Sequence, residues 1–234
     1  MVNSPLTTRS SPLLFGALGD IHGDFNAARQ IMERHPEVPF WLCVGDVADA
    51  DGNYQSLAAP LYWIKGNNEN FDAIAATRFP ANLFYIPNAE LKTIGGLQVA
   101  GLGGTFAPTM YELPAADLPH PTKGTAKATD IADRRRHFVR EEAEACKAMR
   151  GVDVFLSHEA PRPFRVVRGI DAGKTPINEV LAAMKPRLHL FGHHHRFTES
   201  TVGGVPSICL DLGSKSYLLI DGKTLNYQHL PSYP

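Results

Sequence analysis

The chain has 234 residues, 44% of them hydrophobic and 20% charged, with a formal net charge of −1 at pH 7. That length suits one large domain with a well-buried core, and the near-neutral balance gives no global sign of a nucleic-acid or membrane-surface binder. No apolar stretch approaches the ~20 residues of a membrane span. Residues 1–12 are polar, without a signal-peptide core, and read as a loose tail ahead of a single domain over 13–234; the expected location is cytoplasmic. The first strand is predicted over Leu13–Leu18, and Asp24 can cap a helix running to about His35. Strands follow at Phe40–Val44 and Leu61–Lys65, with a second helix over Glu69–Ala76. Leu83–Ile86, Leu91–Ile94 and Leu97–Leu102 read as hairpin strands around a Gly95-Gly96 turn. Residues 103–129 are expected to form a long irregular loop of the kind that is usually functional or mobile. A helix is expected over 131–149, a strand at Val152–Leu156, and a helix capped by Thr175 with Pro176 in its first turn. Leu188–Phe191 is a further strand, and Thr198–Val202, Val205–Leu212, Tyr217–Ile220 and Leu225–His229 make an antiparallel tail. Strand-helix alternation interrupted by antiparallel segments fits two face-to-face sheets with helices outside.

Cys43, Cys146 and Cys209 are widely spaced, with no CxxC pair, and read as buried thiols in a reducing compartment. The histidines are more informative. Five apolar runs each end on metal-capable residues: Asp20 and His22, Asp46, Asn67, His158, and His193-His194-His195. Ligands in open α/β sheets gather outside the carboxyl ends of the strands, so runs lying side by side would bring these ends into one polar pocket. In extended segments alternate side chains share a face, which lets Asp20 with His22, and His193 with His195, reach one ion together. Imidazole and carboxylate without thiolate suit Mn, Fe, Zn or Co. Two such ions ~3.5–4 Å apart share a hydroxide and stabilise in-line displacement at phosphorus.

The ordered set Gly19-Asp20-Ile21-His22-Gly23, Gly45-Asp46, Gly66-Asn67, Ser157-His158 and Gly192-His193-His194-His195 resembles the calcineurin-like metallophosphoesterases over about 13–221. The resemblance implies an α/β fold, a four-layer αββα sandwich of two mixed sheets flanked by helices, and a dinuclear centre of two divalent metal ions. It places Asp20, His22 and His195 on the first ion, Asn67, His158 and His193 on the second, and Asp46 between them. The implied activity is hydrolysis of phosphate esters by a metal-bridging hydroxide, on a small phosphodiester or nucleotide. One position departs from the pattern: the family's GNH motif carries a His that protonates the leaving oxygen, and here Asn68 stands there. An amide can bind phosphate but cannot act as a general acid, a role worth about 10²–10⁴-fold. His194, His120 and His137 are the candidates to replace it. A narrower similarity, to RNA lariat debranching enzymes, rests on Gly95-Gly96-Leu97, on Arg135 through Arg140, and on Leu156-Ser157-His158 with Pro161. Those enzymes carry Cys at position 20 and His at position 68.

Two arginine clusters flank the pocket residues in sequence. Arg134, Arg135, Arg136 and Arg140 are read as a solvated face paired with Asp130, Asp133, Glu141 and Glu142. Arg162, Arg165 and Arg168 follow His158 and are expected to send at least one guanidinium to the substrate, with Arg162 and Arg165 favoured. Tyr111, Phe106 and Phe164 could stack a base or could be core. No continuous basic stripe suggests long nucleic acid. Glu69 and Asn70 are expected to open a helix rather than bind metal. Two other readings remain: a non-catalytic scaffold on the same fold, and a protein Ser/Thr phosphatase, which Asn68 and the short chain disfavour.

Overall fold

The computed structural model describes residues 13–118, 133–166 and 169–233. The predicted tail, His120, Arg168 and part of the 103–129 loop lie outside these. Two six-stranded mixed sheets form the molecule's frame. In the first, β1 (Leu14–Leu18), β2 (Trp41–Cys43), β3 (Leu61–Trp63) and β4 (Leu83–Tyr85) run parallel. In the second, β5 (Leu91–Ile94) pairs antiparallel with β6 (Leu97–Leu102), and β6 runs parallel to β7 (Val154–Ser157) and then to β8 (Leu188–Phe191). The chain then adds β9 (Thr198–Val202), at one edge of the second sheet, and β10 (Val205–Cys209), parallel to β8. It ends with β11 (Ser216–Asp221) and β12 (Tyr227–Pro231), which extend the first sheet antiparallel beyond β1.

The parallel strands read as unbroken apolar runs because both of their faces are covered. Phe15, Ala17, Leu42, Val99, Val154, Leu156 and Leu190 meet between the sheets. The alternate residues Leu18, Trp41, Cys43, Leu61 and Trp63 turn outward and pack under helix α1 (Phe25–Arg34) through Phe25, Ala28, Ile31 and Met32. The second sheet's outer face, including Ala100, Leu102 and Phe155, packs against the helices α4 (Arg140–Ala148) and α5 (Thr175–Met184). The layers are therefore helix, sheet, sheet, helix, as the resemblance implied. Two shorter helices, α2 (Phe71–Ala75) and α3 (Pro108–Tyr111), complete the set among the described residues. No helix among those residues is long and apolar enough to cross a membrane.

Several boundaries differ from expectation for local reasons. Asp24 caps α1 as predicted, its carboxylate accepting from Ala27 N. Asn70, not Glu69, caps α2, and Thr175 is already inside α5, whose preceding residue Lys174 makes no side-chain cap. The 131–149 helix is shorter: a 3-10 turn at Arg134–Arg136 comes first, and α4 starts only at Arg140. β4 does not join the Gly95-Gly96 hairpin but pairs with β3, in the other sheet.

Candidate metal centre

Because β1, β2, β3, β7 and β8 all end on one rim, the residues just beyond them converge. Asp20 and Asp46 are each 1% exposed and His158 is fully buried. Asp20, His22 and His195 offer ligand atoms within 4.8 Å of one another, as do Asp20, Asp46 and His158. His195 Nε2 lies 2.9 Å from Asp20 Oδ2 and 3.1 Å from His22 Nε2. His22 Nε2 and His158 Nε2 approach the same oxygen, Asp46 Oδ2, both at 3.6 Å. His158 Nε2 also faces Asn67 Oδ1 at 3.1 Å, and its Nδ1 donates to Val44 O at 2.9 Å. A ring whose Nδ1–H is held by a carbonyl presents Nε2 as the coordinating atom, the arrangement usual for a metal-bound histidine. His193 joins through its ring, centred 4.9 Å from that of His158, and its backbone N–H donates to both Asp20 oxygens.

The arrangement fits divalent ions. Imidazole nitrogens and carboxylate oxygens turn lone pairs toward one another across hydrogen-bond to ion-pair distances, an arrangement stabilised by cations or shared protons. The donor set is nitrogen and oxygen only: the nearby Cys43 thiol donates to the Gly19 and Gly45 carbonyls instead, and burial pushes its pKa up. The backbone is held in an unfavourable form to achieve this. His22, Asp46, His193 and His195 have φ of 46°, 51°, 69° and 49°, left-handed values costly for non-glycine residues and typical of functional sites. Close approach also requires glycine. A Cβ on Gly66 would sit 1.9 Å from Asp46 Oδ1, and one on Gly192 would sit 2.3 Å from Asp20 Oδ1.

Burial works against charge here, and the neighbours overcome it unevenly. Burial would raise the Asp20 carboxyl, but the His195 hydrogen bond and the charges of His158 and His195 hold it low. Burial would lower His158, and the charges of Asp46 and Asp20 outweigh that and raise it. His193, depressed by burial and by the charge of His158, falls to about 4 and is neutral near pH 7.

A model of calcineurin-like phosphoesterases matches residues 13–197. The chain belongs to that family. The lariat debranching enzyme of Schizosaccharomyces pombe is 24% identical over 204 residues, covering 76% of this chain. The chain spans 42% of that relative's length. Among solved structures, TT1561 of Thermus thermophilus shares the fold with a TM-score of 0.62, at 14% identity, over 95% of this chain and 100% of its own. A dimetal phosphatase from Danio rerio shares it with a TM-score of 0.55, at 12% identity, over 95% and 100%.

All seven residues that the family pattern assigns to metal lie in this cluster or against it. The other site residues fall differently. Asn68 turns toward Asp46: its backbone N–H donates to Oδ1 at 2.7 Å and its amide Nδ2 to Oδ2 at 2.9 Å. His194 stacks on Phe164 with ring centres 4.5 Å apart, and burial with the charge of His193 depresses its pKa to about 4. His137 is buried and hydrogen-bonded to Thr105. Arg162 pairs with Asp171 at 2.9 Å, and Arg165 is exposed, its carbonyl accepting from Arg196. Neither lines the cavity of about 620 Å³ beside the cluster, whose walls include His22, Asn67, Asn68, Glu69, Arg135 and Arg136. The arginines at the pocket thus come from the cluster read as a solvated face. Folding places the 3-10 turn over the end of β3, where Lys65 Nζ donates to Arg135 O and His137 O. Tyr111 and Phe106 pack with Phe138, and Phe164 with Phe191, so all three are packing residues.

Sequence reasoning missed Glu69 and Tyr54. Glu69 accepts from Val47 N, Ala48 N and Gly66 N at 3.0, 3.3 and 3.3 Å, and from the Tyr54 hydroxyl at 2.9 Å. It ties the loop after Asp46 to the one before Asn67. Burial, with the charge of Asp46, pushes its carboxyl up to about 7. The available signal was its position in Gly66-Asn67-Asn68-Glu69, between residues assigned to metal and to a cap.

Proposed function

We propose that this protein is a dinuclear metal-dependent phosphoesterase whose substrates are small phosphodiesters or nucleotides. The observation that carries the reading is the convergence of Asp20, His22, Asp46, His158 and His195, with ligand atoms within 4.8 Å of one another in each group, on the rim of a calcineurin-like phosphoesterase fold. Asp20, His22 and His195 would hold one ion, Asn67, His158 and His193 the other, and Asp46 both; Mn, Fe, Zn and Co suit this donor set. Two bound ions would neutralise phosphoryl oxygens and acidify an attacking water. The chain's own residues do the rest. Val44 O and the His193 N–H orient His158 and Asp20. Asn68 steadies Asp46 through two hydrogen bonds and can turn its remaining amide hydrogen to a phosphoryl oxygen. It has no proton to give a leaving group, and His194 is neutral and stacked away on Phe164. That favours esters whose leaving oxygen needs no general acid. Buried, unpaired thiols at Cys43, Cys146 and Cys209 fit the cytoplasm as the location.

The experiment is hydrolysis of bis-p-nitrophenyl phosphate against p-nitrophenyl phosphate, with Mn²⁺ and with chelator. Metal-dependent cleavage of the diester in preference to the monoester supports the proposal. Absence of both activities in protein loaded with two ions would remove it.

A further inference from the structure

The two arginines in the cavity wall are not equivalent. Arg135 is fully engaged: its Nε and Nη2 bind Asp133, its Nη1 lies 2.9 Å from Asp72, and its guanidinium sits over the Phe71 ring at 5.9 Å. Arg136, the next residue, makes no ion pair among the described residues, and its Nε is buried without a hydrogen-bond partner. The carboxylates lining the cavity all have hydrogen-bond or ion-pair partners within the protein. Asp49 accepts from Asp51 N, Asn53 N and Asn53 Nδ2. Glu69 is turned to three backbone N–H groups, and Asp72 and Asp133 are held by Arg135. Among the described residues, then, Arg136 is the charged side chain of this wall that makes neither an ion pair nor a hydrogen bond through its Nε. A guanidinium without an ion-pair partner at a cavity wall calls for an explanation, and an anionic ligand in that cavity supplies one.

The position of Arg136 is set relative to the cluster. Its backbone carbonyl accepts from Thr105 N at 2.8 Å. The carbonyls on either side of it, Arg135 O and His137 O, accept from Lys65 Nζ at 2.9 and 3.0 Å. Lys65 immediately precedes Gly66-Asn67, and its own carbonyl accepts from Gly104 N at 2.7 Å. The turn carrying Arg136 is thus pinned to the strand end that carries Asn67. A planar guanidinium matches a phosphate bidentately. A cavity of about 620 Å³ falls in the range that encloses small ligands.

We propose that Arg136 is a specificity-determining residue that receives a second phosphate of the substrate, one that is not cleaved. The preferred substrate class is then a phosphodiester or nucleotide carrying an additional phosphate beyond the scissile one. This rests on the phosphoesterase reading of the adjoining metal cluster. It differs from the sequence expectation, which gave phosphate recognition to Arg162 and Arg165.

The test uses a matched pair of chromogenic diesters: thymidine 5′-(p-nitrophenyl phosphate) with and without a 3′-phosphate. Full-length protein supplied with Mn²⁺ is assayed on both, and on bis-p-nitrophenyl phosphate. Wild type is expected to favour the 3′-phosphorylated ester about 10- to 100-fold in kcat/KM, the range for a charge-assisted pair. Arg136→Gln brings that ratio close to one, and Arg136→Lys, which keeps the charge but loses the fork, leaves an intermediate ratio. A ratio within one preparation is independent of the fraction folded, so partial loss of fold does not disguise the result. A wild-type ratio near one, or a preference that survives Arg136→Gln, overturns the inference while leaving the phosphoesterase reading in place. Cleavage of none of the three esters by wild type removes that reading, and the inference with it.

Discussion

Replacing Glu69 by Ala removes the acceptor that laces together the two loops carrying Asp46 and Asn67. Three backbone N–H groups, of Val47, Ala48 and Gly66, lose their acceptor, as does the Tyr54 hydroxyl. The hydroxyl and part of the backbone can turn to water in the adjoining cavity, so about 1 kcal/mol per backbone donor is the appropriate scale, or about 3 kcal/mol in total. For a chain of this size that corresponds to a fall in Tm of about 6–12 °C. Glu69→Gln is the informative partner. Its Oε1 can still accept from Val47 and Gly66, while its Nε2 would face Ala48 N, a donor against a donor. Its cost is therefore about one third to one half as large. The same loops carry Asp46 and Asn67, and Ile21 N and His22 N both donate to Asp46 O at 3.0 and 2.7 Å. Loosening them lowers Mn²⁺ affinity about 10- to 100-fold, the scale for loss of an outer partner of a metal site. The assays are thermal unfolding and Mn²⁺ titration by calorimetry. A Glu69→Ala protein within about 1 kcal/mol of wild type, or a Gln variant as damaged as the Ala variant, would show that Glu69 does not tie these loops together.

Other positions give three more outcomes. Gly66→Ala places a methyl 1.9 Å from Asp46 Oδ1 and 2.4 Å from Asp46 N, which must displace that carboxylate. Activity on bis-p-nitrophenyl phosphate should fall at least about 100-fold, with overpacking costing about 1–3 kcal/mol; near-normal turnover would contradict the placement of Asp46. His189 is fully buried between Ser157 and Ser207, and desolvation depresses its pKa to about 3. Its folded value lies below the ordinary histidine value of about 6.5, so the stability it contributes is complete above that pH and is lost as pH falls toward about 3, at about 1.4 kcal/mol per pH unit. Denaturant unfolding of His189→Gln between about pH 6.5 and 4 should show a correspondingly flatter acid limb; an unchanged slope would show that His189 is not the titrating group. Asn68→His restores a protonatable group next to Asp46, and should raise turnover of alkyl phosphodiesters about 10-fold or more, with little change for p-nitrophenyl esters. Equal effects on both leaving groups would place residue 68 away from the departing oxygen.

The parallel strands and their ends were legible because burial on both faces demands unbroken apolar runs, as in Val154-Phe155-Leu156, and because such runs stop where polar side chains begin. The placement of the seven candidate residues was legible for the same reason, each standing just beyond a strand or in the turn that follows. Pairing across the fold was less legible. β4 has the length and composition of a hairpin strand, and only the position of β3 directs it to the first sheet. The two arginine clusters lie differently relative to the cavity than their sequence distance from His158 suggested, because that distance is a poor guide to space. Asp171 captures Arg162, whereas Lys65 draws the Arg134–Arg136 turn over the pocket from 70 residues away, as the span from Lys65 to Arg135 shows. Glu69 and Asn70 are adjacent and equally able to cap a helix; the three N–H groups awaiting an acceptor beneath Glu69 decide between them, and they come from two separate loops.

We propose that this rim binds two divalent ions and that Asp46 is shared between them. Equilibrium dialysis against Mn²⁺, followed by elemental analysis of wild type and Asp46→Ala, tests it most directly. Two ions per wild-type chain are expected, with loss of both full loading and bis-p-nitrophenyl phosphate hydrolysis in the variant. Full loading and activity in Asp46→Ala, or wild-type hydrolysis that persists in chelator with no bound metal, would contradict it.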